Sequence, residues 1–412
     1  MGNTAKWDED AVLRARVLLL GSGRLGLQEQ LRAYRVLAEV SPRAYLPKLV
    51  DTLLQAGYNA DDPEVELALY TEGVAAGRRI GAGAPNRMER LFRALHFRER
   101  ALLALGRRAE ARAVCEEMAD AAWGPEGREL LTHSWYGPRR LAYVLAEEGR
   151  HREAADIHRR VQATETEVSA WGVYELAAEL AAAGLHEEAV DTFARTVDAG
   201  RLRAAENGMP PADLVWELVH HARLLENAGR PAEAAASRQE ALDVLGQLAE
   251  HGTATSHMVT RWVTLFVLSG RSDEPAASPE APAPPFGADG IQWSPDTRAA
   301  YRDGVTALEA EAARHSAAGA LPELYVVRRR LTLRAALAGH SHGREGLLRP
   351  LFDEGVALAR RLDGTATALP QALTDRALFL VATGRHQEAH TDLAEAADLL
   401  DGTARPSIVT RT

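Results

Sequence analysis

Apolar residues recur along most of this chain at the three- and four-residue spacing of amphipathic helices. Residues 9–20 and 27–40 predict one helix pair, and residues 44–56 and 64–80 predict another, whose second helix opens on an Asp-Asp-Pro sequence. No run of alternating apolar and polar residues is long enough to predict a sheet. The chain is therefore predicted to be all-α.

A six-residue pattern, Gly-x-x-x-Glu-Ala, recurs between predicted helices. Intact copies begin at Gly106, Gly149, Gly184, Gly229 and Gly384, and an altered copy, in which Pro275 replaces the alanine, begins at Gly270. Successive copies from the first to the altered one lie 35 to 45 residues apart. A leucine stands four residues before each intact glycine, and in four of the five copies an alanine stands seven residues before it.

Each position of this pattern has a physical explanation. Glycine ends a helix because it adopts the left-handed conformation without steric cost. The glutamate falls in the first turn of the next helix, where a negative charge interacts favourably with the helix dipole. The alanines allow two antiparallel helices to approach closely, and the leucine fills the space between them. Neither helix can bury its apolar face alone, so the sequence predicts stacked helix–turn–helix units that share one core.

These positions resemble the tetratricopeptide repeat family, over most of residues 92–270 and again over 370–402. The spacing is wider than the family's, which is about 34 residues. The large aromatic residue expected in the second helix occurs only once, and the five copies carry Cys115, His158, Phe193, Arg238 and Leu393 there. The resemblance implies an irregular helical-repeat solenoid whose concave face holds peptides or segments of partner proteins.

The composition of the chain changes after the altered copy of the pattern. Residues 271–295 contain six prolines among alanines and serines, and this composition cannot continue a helix. The sequence therefore predicts two lobes, an N-terminal repeat lobe over 1–270 and a C-terminal helical-repeat lobe over 296–412, joined by a Pro/Ala-rich linker over 271–295.

The charge and cysteine content narrow the classes of function. The 48 basic and 58 acidic side chains leave a net charge of −10, which disfavours nucleic-acid binding. A single cysteine, Cys115, excludes an internal disulfide and a Cys-rich zinc site. No stretch has the length of a membrane span or signal peptide, so a cytoplasmic location without a membrane partner is predicted. Arginine greatly outnumbers lysine, which indicates a GC-rich bacterial, actinobacterial-like composition.

Two glycine-rich motifs suggest enzyme chemistry but stand in the wrong structural context. Residues 21–26 match the dinucleotide-binding pattern, yet the segments before and after them are predicted helices, and no second strand follows. Gly339-His-Ser-His-Gly343 matches the nucleophile elbow of hydrolases, but it follows a predicted helix rather than a strand. A hydrolase is therefore the third functional alternative, and no catalytic residue is predicted.

Histidine pairs do not predict a metal site. His386 and His390 flank Glu388, but the zinc-protease order is His-Glu-x-x-His, and His386 falls at a turn position where His151 and His186 occur in other copies. The pairs at 220–221 and at 340 and 342 lack carboxylates at ligand spacing. No metal or cofactor is predicted.

One set of residues predicts a binding site. Bulky side chains recur three and four residues apart on the first helices of three successive units, and these helices line the concave surface of a solenoid. The predicted site residues are Tyr136, Arg139 and Tyr143, then Trp171 and Tyr174, then Trp216 and Arg223, whose helix also carries Val219 and Glu226 on this face. Aromatic residues and arginines are enriched at binding hot spots, and arginine favours a ligand with carboxylates. Packing of the tryptophans against the neighbouring repeat is an equally open alternative.

The sequence thus predicts a non-enzymatic scaffold or adaptor that binds a protein or peptide segment, possibly acidic, in its concave groove. The alternative is a regulatory protein that senses a ligand or peptide and moves its two lobes about the linker.

Overall fold

The computed structural model describes residues 9–20, 25–127, 137–165, 169–251, 259–338, 345–362 and 367–403. Within these ranges the chain forms eighteen α-helices and one 3-10 turn, and no strand. The helices are α1 (Glu9–Leu20), α2 (Leu27–Val40), α3 (Pro42–Tyr58), α4 (Pro63–Arg79), α5 (Arg87–Ala104), α6 (Arg108–Trp123), α7 (Pro138–Glu147), α8 (His151–Gln162), α9 (Ala170–Ala182), α10 (His186–Asn207), α11 (Asp213–Asn227), α12 (Pro231–His251), α13 (Val259–Ser269), α14 (Pro295–Ala318), α15 (Leu321–Ala338), α16 (Glu345–Ala359), α17 (Ala368–Ala382) and α18 (His386–Thr403). The prediction of an all-α protein is confirmed.

Helices that follow one another in the chain pack against one another. This order holds from α1 to α6, from α8 to α12 and from α15 to α18. Within these three runs, each internal helix packs between the helix before it and the helix after it, as expected for an α-solenoid. Other pairings in the described ranges are not sequential: α12 packs against α18, and α13 packs against α11, α15 and α17.

The glycine turns adopt the predicted left-handed conformation. The five intact copies of the pattern have glycine φ angles between 72° and 78°, whereas Gly270 of the altered copy has a φ of −93° and precedes the 3-10 turn Arg271–Asp273. In four intact copies the residue after the glycine donates its N–H to the carbonyl of the leucine four residues before the glycine, at 2.8–2.9 Å. This bond closes the last turn of the helix by satisfying a carbonyl that has no partner within the helix.

The alanines of the pattern lie where helices meet. All five, Ala111, Ala154, Ala189, Ala234 and Ala389, are 0% exposed. The preceding leucines are also buried. Both positions are therefore buried, as the predicted seam between paired helices requires.

The chain forms two compact units. The first comprises Met1–Leu145, Ala163–Glu165 and Ser294–Asp296, and its core includes Phe92 and Cys115. The second comprises Ala146–Gln162, Thr166–Trp293 and Thr297–Thr412, with a core rich in aromatic side chains.

These units do not coincide with the predicted lobes and linker. Most of the Pro/Ala-rich segment belongs to the second unit, where Phe286 and Trp293 are buried. The prolines do prevent helix formation there, but an irregular segment still packs when it carries large apolar side chains.

Candidate functional site

The predicted binding residues on α7 belong to the first unit. Arg139 and Tyr143 are both buried, and the Nη2 of Arg139 donates to Glu165 Oε1 at 2.5 Å. Tyr136 lies outside the described residues. A buried ion pair and a buried ring offer no surface to a ligand, so the structure does not support a binding role for Arg139 and Tyr143.

Three further predicted residues lie in the second unit and pack between helices. Tyr174 and Trp216 are 0% and 1% exposed. The Tyr174 hydroxyl donates to Glu217 Oε1 at 2.8 Å, and Trp216 Nε1 donates to the Leu378 carbonyl at 3.1 Å. Trp171 is half-buried and lies edge-on to Tyr174, with ring centroids 5.9 Å apart. Packing, the alternative left open by the sequence, therefore describes these three side chains, because neighbouring helices cover the large apolar rings.

The face of α9 is covered by another segment of the chain. The backbone of Gly287 lies so close to α9 that a Cβ there would be 2.5 Å from the Ala178 Cβ and 2.9 Å from the Tyr174 carbonyl oxygen. Arg271 Nη1 donates to the Ala178 carbonyl at 2.8 Å, and Ala283 N–H donates to a carbonyl at the end of α7 at 3.0 Å. The surface predicted to hold a partner segment thus holds the chain's own Pro/Ala-rich segment.

Arg223 is the predicted residue that lines a cavity. The cavity measures about 380 Å³ and lies within the second unit, among α11, α12, α17 and α18. Its apolar lining is Val219, Ala222, Pro370, Leu393, Ala396 and Leu400, and its main polar lining is Arg223, Glu226, Arg238, Asp273, Gln371 and Thr374. A concave site of this size, with an apolar wall and a few polar groups, is typical of ligand pockets.

The two arginines of the cavity differ in their partners. Arg238 forms ion pairs with Glu226 and with Asp401, the latter at 2.5 Å. Arg223 Nη1 donates to the Ser269 carbonyl at 3.2 Å, and no carboxylate of the described ranges lies within ion-pair distance of Arg223. Burial, with the nearby charge of Arg329, lowers the pKa of Arg223. A guanidinium in this state is well suited to receive a carboxylate through two parallel hydrogen bonds.

A second charged cluster is closed to ligands. Asp213 forms ion pairs with Arg261 at 2.6 Å and Arg203 at 3.3 Å, while the neighbouring Glu217 is fully buried and bonded to Tyr174. Burial, followed by the charge of Asp213, raises the pKa of Glu217 to about 8. The Glu217 carboxyl therefore stays protonated at neutral pH, and its role is structural.

The enzyme-like motifs gain no support. Residues 17–20 belong to α1 rather than to a strand. Residues 21–24 and 339–344, which include most of the dinucleotide pattern and the whole hydrolase pattern, lie outside the described residues. His220 is buried, and burial lowers its pKa to about 3, so it is neutral. Cys115 is fully buried, as predicted. The described part of the chain contains no group of three or more His, Cys, Asp or Glu side chains arranged to hold a metal ion.

Comparison of the chain with protein-family models and with curated proteins gives no match. None of the helices in the described ranges combines the length and the apolar character that crossing a bilayer requires. The candidate site is therefore defined by this chain's own side chains.

Several cavity residues were not among the predicted site residues, although the repeat pattern contains a signal for them. Val219 and Thr374 stand ten residues before Gly229 and Gly384, and Arg238 and Leu393 stand nine residues after the same glycines. Equivalent positions of two copies thus line one cavity. Arg238 is a charged residue where the tetratricopeptide pattern has an aromatic one, and this departure is the sequence signal that could have indicated a polar cavity in this unit.

Proposed function

We propose that this chain is a non-enzymatic binding protein built from tetratricopeptide-like helix pairs, and that it recognises a protein or peptide segment through the cavity among α11, α12, α17 and α18. An acidic side chain of the segment binds Arg223, and a neighbouring apolar side chain contacts Val219 and Leu393. One observation carries this proposal: Arg223 lines an open cavity, and within the described residues no carboxylate pairs with it.

The proposed site retains only part of the site predicted from the sequence. Arg223 and a carboxylate-bearing ligand remain. The aromatic anchors do not, because Tyr174 and Trp216 are buried and the chain covers α9.

A second candidate function is the sensing of a small ligand. The volume of about 380 Å³ supports it, since pockets of small molecules start near this size. The predicted movement about residues 271–295 is not part of this candidate, because Trp216 and Leu378, from either side of that segment, are hydrogen-bonded within one compact unit.

An array of short peptides tests the proposal. The array varies the position of one Asp or Glu next to an aliphatic residue, and it is probed with the native chain, with Arg223→Gln and with Arg195→Gln. Arg195 is exposed on α10 and is not part of the cavity lining, so its variant is the matched control. We expect Arg223→Gln to weaken acid-dependent binding by about thirtyfold, the effect of losing a hot-spot side chain, and Arg195→Gln to bind normally. Acid-dependent binding that is equal in all three proteins would contradict the proposal.

A further inference from the structure

Two acidic side chains of the same cavity each keep one oxygen unused. Glu226 Oε1 accepts a hydrogen bond from Arg238, and Asp273 Oδ2 accepts one from Arg329. Within the described ranges, the second oxygen of each carboxylate accepts no hydrogen bond. Both carboxylates are already paired with an arginine, and the Glu226 side chain is 39% exposed, but the second oxygen of each can still accept a charge-assisted hydrogen bond from a positive group in the cavity.

The carboxylates of Glu226 and Asp273 act electrostatically on Arg223. The charges of Glu226 and Asp273 both favour the protonated form of Arg223, although neither side chain is in ion-pair contact with it. Glu226 is ion-paired with Arg238 of the same cavity and Asp273 with Arg329, whereas Arg223 has no carboxylate of the described ranges within ion-pair distance. The aliphatic side chains of Leu393 and Leu400 complete the lining.

We infer that the ligand of this cavity is zwitterionic: a short aliphatic peptide with free termini. Its carboxylate binds Arg223, its ammonium group binds Glu226 or Asp273, and its side chains contact the aliphatic lining. This inference rests on the proposed function and specifies the ligand of the same site. A ligand with only a positive charge would leave Arg223 without a carboxylate, and one with only a carboxylate would lose the charge-assisted hydrogen bond to Glu226 or Asp273.

Isothermal titration calorimetry with three related compounds tests this inference. The compounds are leucyl-leucine, its N-acetyl derivative, which lacks the cation, and its C-terminal amide, which lacks the anion. We expect leucyl-leucine to bind and each derivative to bind at least about tenfold more weakly, because each loses one charge-assisted hydrogen bond.

Two variants assign each charge to its partner. Glu226→Gln keeps an oxygen for Arg238 but removes the charge, so it should reduce the difference between leucyl-leucine and the N-acetyl derivative. Arg223→Gln should reduce the difference between leucyl-leucine and the amide. Glu187→Gln, an exposed residue outside the cavity lining, is the control and should leave both differences unchanged.

The possible failures are distinguishable. If the N-acetyl derivative binds as tightly as leucyl-leucine and still depends on Arg223, the zwitterion is refuted while the carboxylate site remains. If no compound binds at millimolar concentration, the inference is overturned, and the peptide array decides the proposed function independently.

Discussion

The α9–α10 and α11–α12 helix pairs have the same kind of glycine turn but different surfaces. Their glycines, Gly184 and Gly229, have φ angles of 76° and 73°, and the alanine five residues after each is fully buried. Six residues before the glycine, however, the first pair has Ala178 and the second has Arg223. Nine residues after it, the first pair has Phe193 and the second has Arg238.

These two positions separate a closed surface from an open one. In the first pair the small Ala178 accepts the close approach of Gly287, and Phe193 is buried. In the second pair both arginines line the cavity. A guanidinium group needs solvent or acidic partners even where, as for Arg238, it is buried, so the segments around these arginines leave polar space that alanine and phenylalanine do not need. The turn and seam residues specify the helix pair, and other positions specify whether its surface is covered by the chain or lines a cavity.

The largest expected effect concerns the packing of the first pair. Phe193 stacks on Tyr174 with centroids 5.5 Å apart, and it lies 4.8 Å from the ring of His220. Phe193→Ala should lower the free energy of unfolding by about 3–5 kcal/mol, because a large buried ring leaves a cavity. Urea denaturation measures this change. Leu202→Ala, at an exposed site of α10, is the control and should change stability by less than about 0.5 kcal/mol. Equal, small effects of both substitutions would show that Phe193 is not a core residue.

The next effect depends on pH and concerns Glu217, which joins the two pairs through Tyr174. Its pKa is about 8 in the folded chain and ordinary, near 4.5, when unfolded. Between these values the unfolded chain releases a proton that the folded chain keeps, so this group lowers stability as pH rises, by up to about 1.4 kcal/mol per pH unit. Glu217→Gln removes the ionisation and keeps an oxygen for Tyr174.

The measurement is the free energy of unfolding of both proteins from pH 4 to pH 8. We expect nearly equal stability at pH 4, and a variant more stable by about 2–4 kcal/mol at pH 8. A difference that does not change with pH would contradict the assignment of a protonated Glu217.

The smallest expected effect concerns the buried alanine that both helix pairs have at the same position. Ala189→Leu and Ala234→Leu add a branched side chain where paired helices meet, and each should cost about 1–3 kcal/mol. Similar losses of melting temperature in both variants would confirm a common seam. Ala236→Leu, on the exposed side of α12, should have little effect. An unchanged melting temperature in either seam variant would show that the two pairs are built differently.

The helix pairs were predictable because their signals are local. A glycine with a positive φ, the acidic first turn after it and the apolar period of a helix depend on neighbours within a few residues. Cys115 and the alanines of the pattern were correctly predicted as buried for the same reason, since each position follows from its own helix pair. The burial of Arg139, Tyr174 and Trp216 was not predictable in this way, because a bulky side chain on a helix face can contact a ligand or a neighbouring helix equally well.

Local pattern therefore established the all-α class, the turns and the seams of this protein. Contacts between residues far apart in the chain established the rest: α12 packs against α18, and Gly287 lies against Ala178. Such pairings depend on which surfaces fit together after the helices have formed. Because the hydrophobic effect is nondirectional, the periodicity of the sequence does not predict them. For that reason the repeat pattern aligns several residues of the cavity around Arg223, but only the folded chain brings them together.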